Sequence, residues 1–228
     1  MHALGTPRPS VRHRRAGKVQ WHASPNHGPR RNGLTPSIVV IHYTAMQTAE
    51  AAIERLCDPA FEVSAHYLVG KKGEVVQMVA EDRRAWHAGV GEWRGQDDIN
   101  SRSIGIELDN TGAEPFPEPQ MMALEQLLSD IRSRWPIDPV DIIGHSDMAP
   151  GRKHDPGPRF DWSRLARQGL AGPTTPPAAL PDFTEMARAA GFTATSDADL
   201  LLQATRLRFA PWRGGAQCPE DLQLYHQT

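Results

Sequence analysis

The stretch Ser37 to Thr44, SIVVIHYT, sets the architecture. Its β-branched run has no polar alternation, so it predicts a strand covered on both faces, in the interior of a sheet layered with helices. His42 stands near the C-terminal end of that strand, where open α/β sheets place their ligand sites. A second run, Ser103 to Leu108 (SIGIEL), predicts another central strand and carries Glu107 among apolar neighbours. A third, Asp141 to His145, delivers His145 at its end and opens into the Pro/Gly-rich loop GHSDMAPGRKHDPG, Gly144 to Gly157. Rigid backbone of this kind aims side chains into a cleft.

Outward from these strands the periodicity changes. Thr48 to Cys57 predicts a helix with Ala49, Ala52, Ile53 and Leu56 on one face. Ser64 to Val69 and Glu74 to Val79 predict a hairpin turning through Lys71-Lys72-Gly73. Glu118 to Trp135 predicts the longest helix, with Met121, Leu124, Leu128 and Ile131 at helical spacing and Pro136 as its stop. A short helix is expected from Asp161 to Gln168. Asp82 to Gln96 reads as a loop whose Trp86, His87, Trp93 and Arg94 are suited to gripping a ligand. The fold class expected from this order is α/β (α+β).

The chain has 228 residues, 39% hydrophobic and 23% charged, an ordinary globular composition with room for a substantial core. No apolar run reaches the length of a membrane span, and the first thirty residues lack the apolar stretch of a secretory signal, so a cytoplasmic protein is expected. Two cysteines, Cys57 and Cys218, exclude a disulfide framework. Of 25 basic residues seven precede Glu50, and none of the 27 acidic ones does, so a basic arm leads an acidic body. Without interleaved aromatics that arm reads as a solvated leader, and no nucleic-acid partner is expected. Residues 171–181, AGPTTPPAALP, compose a semi-rigid linker. Beyond them Phe183 to Ala190, Asp197 to Arg208 and a start at Pro219 predict a small helical appendage that docks on the main body. Nothing in the sequence sets an oligomeric state.

Among ten histidines, position selects. His42 and His145 end buried strands, and Asp155 lies on the constrained loop after one of them. Two imidazoles and a carboxylate leave a fourth tetrahedral position on a zinc ion, the arrangement of a catalytic site. The residues alone leave open a second reading, core histidines satisfied by backbone, and other divalent metals fit the same donors. Glu107 reads either as a general base or as a structural carboxylate paired with an arginine. Lys153 reads either as an ammonium beside a developing oxyanion or as a surface lysine.

The set IHYT, SAHYLV, RAWHAG, NSRSIGIEL, GHSDMAPGRKHDPGP and FDW, in this order, resembles the zinc-dependent N-acetylmuramoyl-L-alanine amidases of the amidase type 2 family, whose fold is shared with phage lysozyme-amidases and animal peptidoglycan-recognition proteins. The resemblance covers about Ser24 to Gly169. It implies a central mixed β-sheet flanked by helices, with one zinc ion held by His42, His145 and Asp155, and Glu107 and Lys153 as catalytic residues. It further implies a groove for peptidoglycan or its muropeptide fragments, with Tyr43, His66, Trp86, His87 and Asn100 as substrate-binding candidates. His154 falls in the variable middle of Lys-x-Asp and is set aside.

By this resemblance the chain divides into a flexible leader (1–23), a zinc amidase domain (24–170), the linker (171–181) and a shortened, peptidoglycan-binding-like helical region (182–228). Its implied activity is hydrolysis of the amide between N-acetylmuramic acid and L-alanine, in wall turnover or recycling. The alternatives are a non-catalytic recognition protein, disfavoured by the intact ligand set, and a phage-type endolysin. The wall-binding-like appendage points towards the envelope, against the cytoplasmic expectation. In many relatives a basic residue precedes the position of Asn100, where this chain has Asp97 and Asp98; Arg94 or Arg102 is the expected substitute for gripping substrate carboxylates.

Overall fold

The computed structural model describes residues 19–172 and 182–226. Eight strands and seven α-helices follow in chain order: β1 (Gln20–Trp21), β2 (His27–Pro29), β3 (Ile38–Tyr43), α1 (Ala49–Cys57), β4 (Tyr67–Val69), β5 (Val75–Gln77), β6 (Arg83–Ala85), α2 (Ile99–Arg102), β7 (Ser103–Leu108), α3 (Glu118–Arg134), β8 (Ile142–Gly144), α4 (His145–Met148), α5 (Trp162–Arg167), α6 (Phe183–Ala189) and α7 (Ala198–Phe209). Six strands form one mixed sheet in the order β1-β5-β4-β7-β3-β8, and β2 and β6 form a separate antiparallel ribbon. Strands β4, β7, β3 and β8 run parallel, while β5 is antiparallel to β4. The strand β3, from SIVVIHYT, is interior to the sheet between β7 and β8, as its apolar run predicts.

Alternate residues of the central strands serve two cores. Val39 and Ile41 of β3, with Ile104, Ile106 and Leu108 of β7, face α3 and α5. There Met121, Leu124, Leu128 and Ile131 repeat at helical spacing, and full burial of each stabilises by roughly 1.5–3 kcal/mol. Ile38 and Val40, with Ile143 of β8, face the opposite way and meet Phe183, Met186, Phe192 and Leu201 of the C-terminal region. The appendage docks as expected, and it does so as the second layer of the sheet. A third cluster joins Ala49, Ala52 and Leu56 of α1 to Leu68 and Val76.

Thr48 caps α1, accepting from the Ala51 amide at 3.2 Å, and Asp161 caps α5 from the Arg164 amide at 2.9 Å. The expected hairpin forms but is shorter than predicted. The Ser64 amide bonds to the Trp86 carbonyl, outside the hairpin, while the His66 carbonyl still accepts the Met78 amide at 2.8 Å. The strand expected to reach His145 stops at Gly144, because the chain turns at once into α4. Most of the expected leader and linker, residues 1–18 and 173–181, lies outside the described residues. The leader's remainder is not loose: Gln20 and Trp21 pair with Val76 and Gln77 at the sheet edge. Two residues of backbone pairing leave no periodicity to read. The ribbon of β2 with β6 falls where loop was expected, and the one-turn helix α2 falls within 97–102, where no element was predicted; all three are too short for periodicity to show.

Candidate active site

Strand register builds the centre of the site. His42 on β3 lies directly beside Glu107 on the parallel neighbour β7. Both point to the face shared with Ile38 and Val40, at the C-terminal ends of their strands. From β8, on the other side of β3, the chain passes into α4, which starts with His145. The following loop returns Asp155 to the same point. The Nδ1 atoms of His42 and His145 lie 2.8 and 3.1 Å from Asp155 Oδ2. All three residues are buried, and their ligand atoms lie within 4.8 Å of one another.

The hydrogen bonds behind the histidines fix their tautomers. His145 Nε2 is 2.9 Å from the Ala88 carbonyl, an acceptor only, so Nε2 carries the proton and Nδ1 offers a lone pair. Ser103 Oγ donates to the Ile99 carbonyl at 2.6 Å, which commits its proton. His87 Nε2, 3.1 Å from Ser103 Oγ, therefore donates to it. Neutral His87 then accepts at Nδ1 from His42 Nε2, 3.0 Å away, and His42 Nδ1 is left bare. Burial holds His87 neutral, well below the usual imidazole range. Burial also lowers His42 to about 4, with His145 beside it acting in the same direction. Three lone pairs thus converge with no proton between them. That arrangement calls for a cation, and the donor set of two imidazoles and one carboxylate fits zinc.

Glu107 completes the centre. Its Oε2 is buried without a hydrogen-bond partner, and no arginine pairs with it among the described residues. Burial and the nearby Asp155 charge raise its carboxyl to about 8, with Lys153 opposing. A cleft of about 440 Å³ opens over these groups, lined also by Tyr43, Trp86, His87, Lys153 and His154. His154, set aside on sequence, is at the wall.

Two of the substrate-binding candidates stand elsewhere. His66 is fully buried behind the site: its Nδ1 accepts from the Gly105 amide at 2.9 Å and its Nε2 donates to the Arg83 carbonyl at 3.0 Å. Asn100 is also buried, its Oδ1 taking the amides of His87 and Ala88 at 3.0 and 2.9 Å. Both are absent from the cleft wall. Nor do Arg94 and Arg102 reach it: Arg94 pairs with Asp141, Arg102 donates to the Asp97 carbonyl, and Asp98 is engaged by Arg84. The cleft's cations besides Lys153 are Arg55, stacked 4.2 Å from the Phe61 ring centroid, and Arg152, which donates to the carbonyls of Ala88 and Val90.

Sequence reading also passed over Ser103 and Gly105. The signal was there, since alternation within SIGIEL puts Ser103, Gly105 and Glu107 on one face. A Cβ at Gly105 would meet the His87 ring at 2.5–2.7 Å, so the imidazole needs a glycine beneath it.

Known proteins share these features of sequence and fold. AmiD of Escherichia coli (strain K12), an N-acetylmuramoyl-L-alanine amidase, is 42% identical over 149 residues, 58% of this chain and 53% of its own length, so this chain spans about half of that relative. The 1,6-anhydro-N-acetylmuramyl-L-alanine amidase AmpD of Enterobacter cloacae is 38% identical over 159 residues, 62% of this chain and 85% of its own. The structure of E. coli AmiD with anhydro-N-acetylmuramic acid-L-Ala-D-gamma-Glu-L-Lys superposes with a TM-score of 0.72 at 32% identity, covering 85% of this chain and 89% of that one. Residues 32–158, which carry every group of the centre from His42 to Asp155, match the Amidase_2 family, and the chain therefore belongs to this family of N-acetylmuramoyl-L-alanine amidases.

Proposed function

We propose that the chain hydrolyses the amide between the lactyl group of N-acetylmuramic acid, the 1,6-anhydro form included, and the L-alanine that begins the stem peptide, using one zinc ion held by His42, His145 and Asp155. The convergence of three deprotonated ligand atoms at the head of a cleft carries this reading. The names of AmpD and the ligand of the E. coli AmiD structure point to anhydromuramyl peptides as the substrate class. The unpaired Glu107 carboxylate supports an enzyme over a non-catalytic receptor.

Bound zinc supplies Lewis acidity at the cleft. The chain's own groups then divide the proton and charge work. Glu107 takes a proton from the attacking water and returns it to the departing alanine amine. The Lys153 ammonium stabilises the oxyanion that forms at the lactyl carbonyl. Tyr43 and Trp86 are the aromatic walls against which sugar and peptide pack. His87, Asn100 and His66 act from behind, by holding the ligand histidines and the strand beneath them.

The test is incubation of the purified protein with anhydro-muropeptide and with intact sacculi, with and without a chelator, and identification of products by mass. Chelator-sensitive release of peptide beginning at L-alanine is expected. Its absence from both substrates refutes the proposal. Release from soluble fragments alone supports a role in muropeptide recycling.

A further inference from the structure

Outside the site just described, Arg208 is a buried cation in the last turn of α7, fifty residues beyond the segment that matches the family. It is 5% exposed. Its Nη1 donates to Asp147 Oδ2 at 2.5 Å, and its Nη2 donates to the carbonyls of Ile142 at 3.1 Å and Gly172 at 3.4 Å. The guanidinium also lies 4.0 Å from the ring centroid of Trp162. Asp147 is fully buried, and Arg208 is the only cation paired with it among the described residues.

Asp147 is the third residue of α4 and caps its start. Its Oδ2 accepts the Gly144 amide at 2.8 Å, and this bond makes the chain turn at His145 rather than continue the strand. Gly144 itself has no room for a side chain: a Cβ there would meet Pro156 Cδ at 2.7 Å and Trp162 at 3.3 Å. Pro156 follows Asp155, and Trp162 is the ring beneath Arg208. One guanidinium therefore touches the acid that sets His145 and the ring that backs the Gly144–Pro156 contact. Without it, the buried carboxylate has to turn outward or take up a proton. Either change frees the far side of the oxygen that holds Gly144.

We propose that Arg208 is a positioning residue for the metal centre: the C-terminal helical region contributes a clamp that fixes the turn carrying His145 and the loop carrying Asp155. The proposal rests on His145 and Asp155 as zinc ligands. On this account the C-terminal region is a working part of the catalytic unit.

The full-length chain is compared as wild type, Arg208→Met, Arg208→Lys, Asp147→Asn/Arg208→Met and Leu201→Ala. Leu201 belongs to the same interface but, being apolar, makes no hydrogen bond or ion pair to Asp147. Two quantities are read: hydrogen exchange of the peptide spanning Ile142 to Ala149, and zinc affinity by competition with a chromophoric chelator. Arg208→Met is expected to speed exchange in that peptide and to weaken zinc binding about 10–100-fold. Arg208→Lys falls between, and the double variant recovers affinity because a neutral amide needs no counter-ion. Leu201→Ala lowers the melting temperature while leaving zinc affinity within about threefold of wild type. A folded Arg208→Met protein with unchanged exchange and affinity overturns the proposal. So does loss of zinc from Leu201→Ala equal to that from Arg208→Met. If Arg208→Met does not fold, the double variant, Arg208→Lys and Leu201→Ala decide on the same criteria. Wild type that binds no zinc sinks the metal reading instead, and the exchange comparison still judges the clamp.

Discussion

Replacing Gly105 by alanine tests how the tautomer of His42 is set. Elsewhere in a strand the change would stabilise the protein by roughly 0.5–1 kcal/mol, since glycine loses more backbone freedom on folding. Gly105 has no left-handed backbone to protect, so only space is at issue. The new Cβ would lie 2.5 Å from His87 Cγ and 2.7 Å from its Nδ1. Reaching an ordinary carbon–carbon separation requires the ring to retreat by about 1 Å. That retreat takes His87 Nδ1 out of the 3.0 Å contact with His42 Nε2 and strains the 3.1 Å contact with Ser103. Overpacking of this kind costs about 1–3 kcal/mol in the metal-free protein. Loss of the acceptor behind a ligand histidine weakens metal binding about 10–100-fold. The assays are urea unfolding of metal-free protein and zinc competition with a chelator. Unchanged stability together with unchanged zinc affinity would show that His87 does not hold His42, and the tautomer argument would fail.

Further outcomes follow from the same geometry. Glu107→Gln keeps zinc affinity and lowers turnover about 10²–10⁴-fold in a muropeptide assay, as expected for the loss of a proton-transfer group; full activity would exclude Glu107 as the base. In metal-free protein, burial sets His42 at about 4 and His66 at about 3, so stability rises with pH from there to about 6.5, where the unfolded imidazole titrates. Glu107, raised by burial to about 8, acts in the opposite direction: its contribution is whole below the unfolded carboxyl value and fades as pH climbs to 8. Urea unfolding across pH should therefore show an optimum near 6.5, and Glu107→Gln should remove the alkaline decline. Phe192, fully buried and edge-on to Trp93 at 5.2 Å, joins the C-terminal region to the body. Phe192→Ala costs about 3–5 kcal/mol and lowers one cooperative transition, followed by circular dichroism; a separate early transition would mean that the C-terminal region unfolds alone.

The central strands were legible because SIVVIHYT and SIGIEL are too apolar to lie anywhere but between layers. Strand ends and one constrained loop made His42, His145 and Asp155 candidates without excluding core histidines; the resemblance to the amidase type 2 family was what implied them as one ligand set. The deeper tier was harder to see. His66 and Asn100 sit in ligand-like motifs, yet their side chains face backbone amides, and a motif does not say which way a side chain turns. The ribbon of His27–Pro29 with Arg83–Ala85 is too short and too charged for periodicity to show. Arg208 is one of two arginines on α7, and its partner is a carboxylate sixty-one positions away, a distance no local pattern spans.

The lateral pairing of His42 with Glu107 has a further consequence for how such a protein can change over time. Adjacent strands lie about 4.8 Å apart wherever they pair, so the interval between the metal-binding ring and the acid belongs to the backbone lattice. A slip of one residue would turn Glu107 to the opposite face and abolish the pairing outright, leaving no graded intermediate. The rim, by contrast, is made of loops and helix ends that carry Arg55, Trp86 and His154. Substrate preference is free to drift there by single substitutions, while the reacting centre stays locked to the sheet.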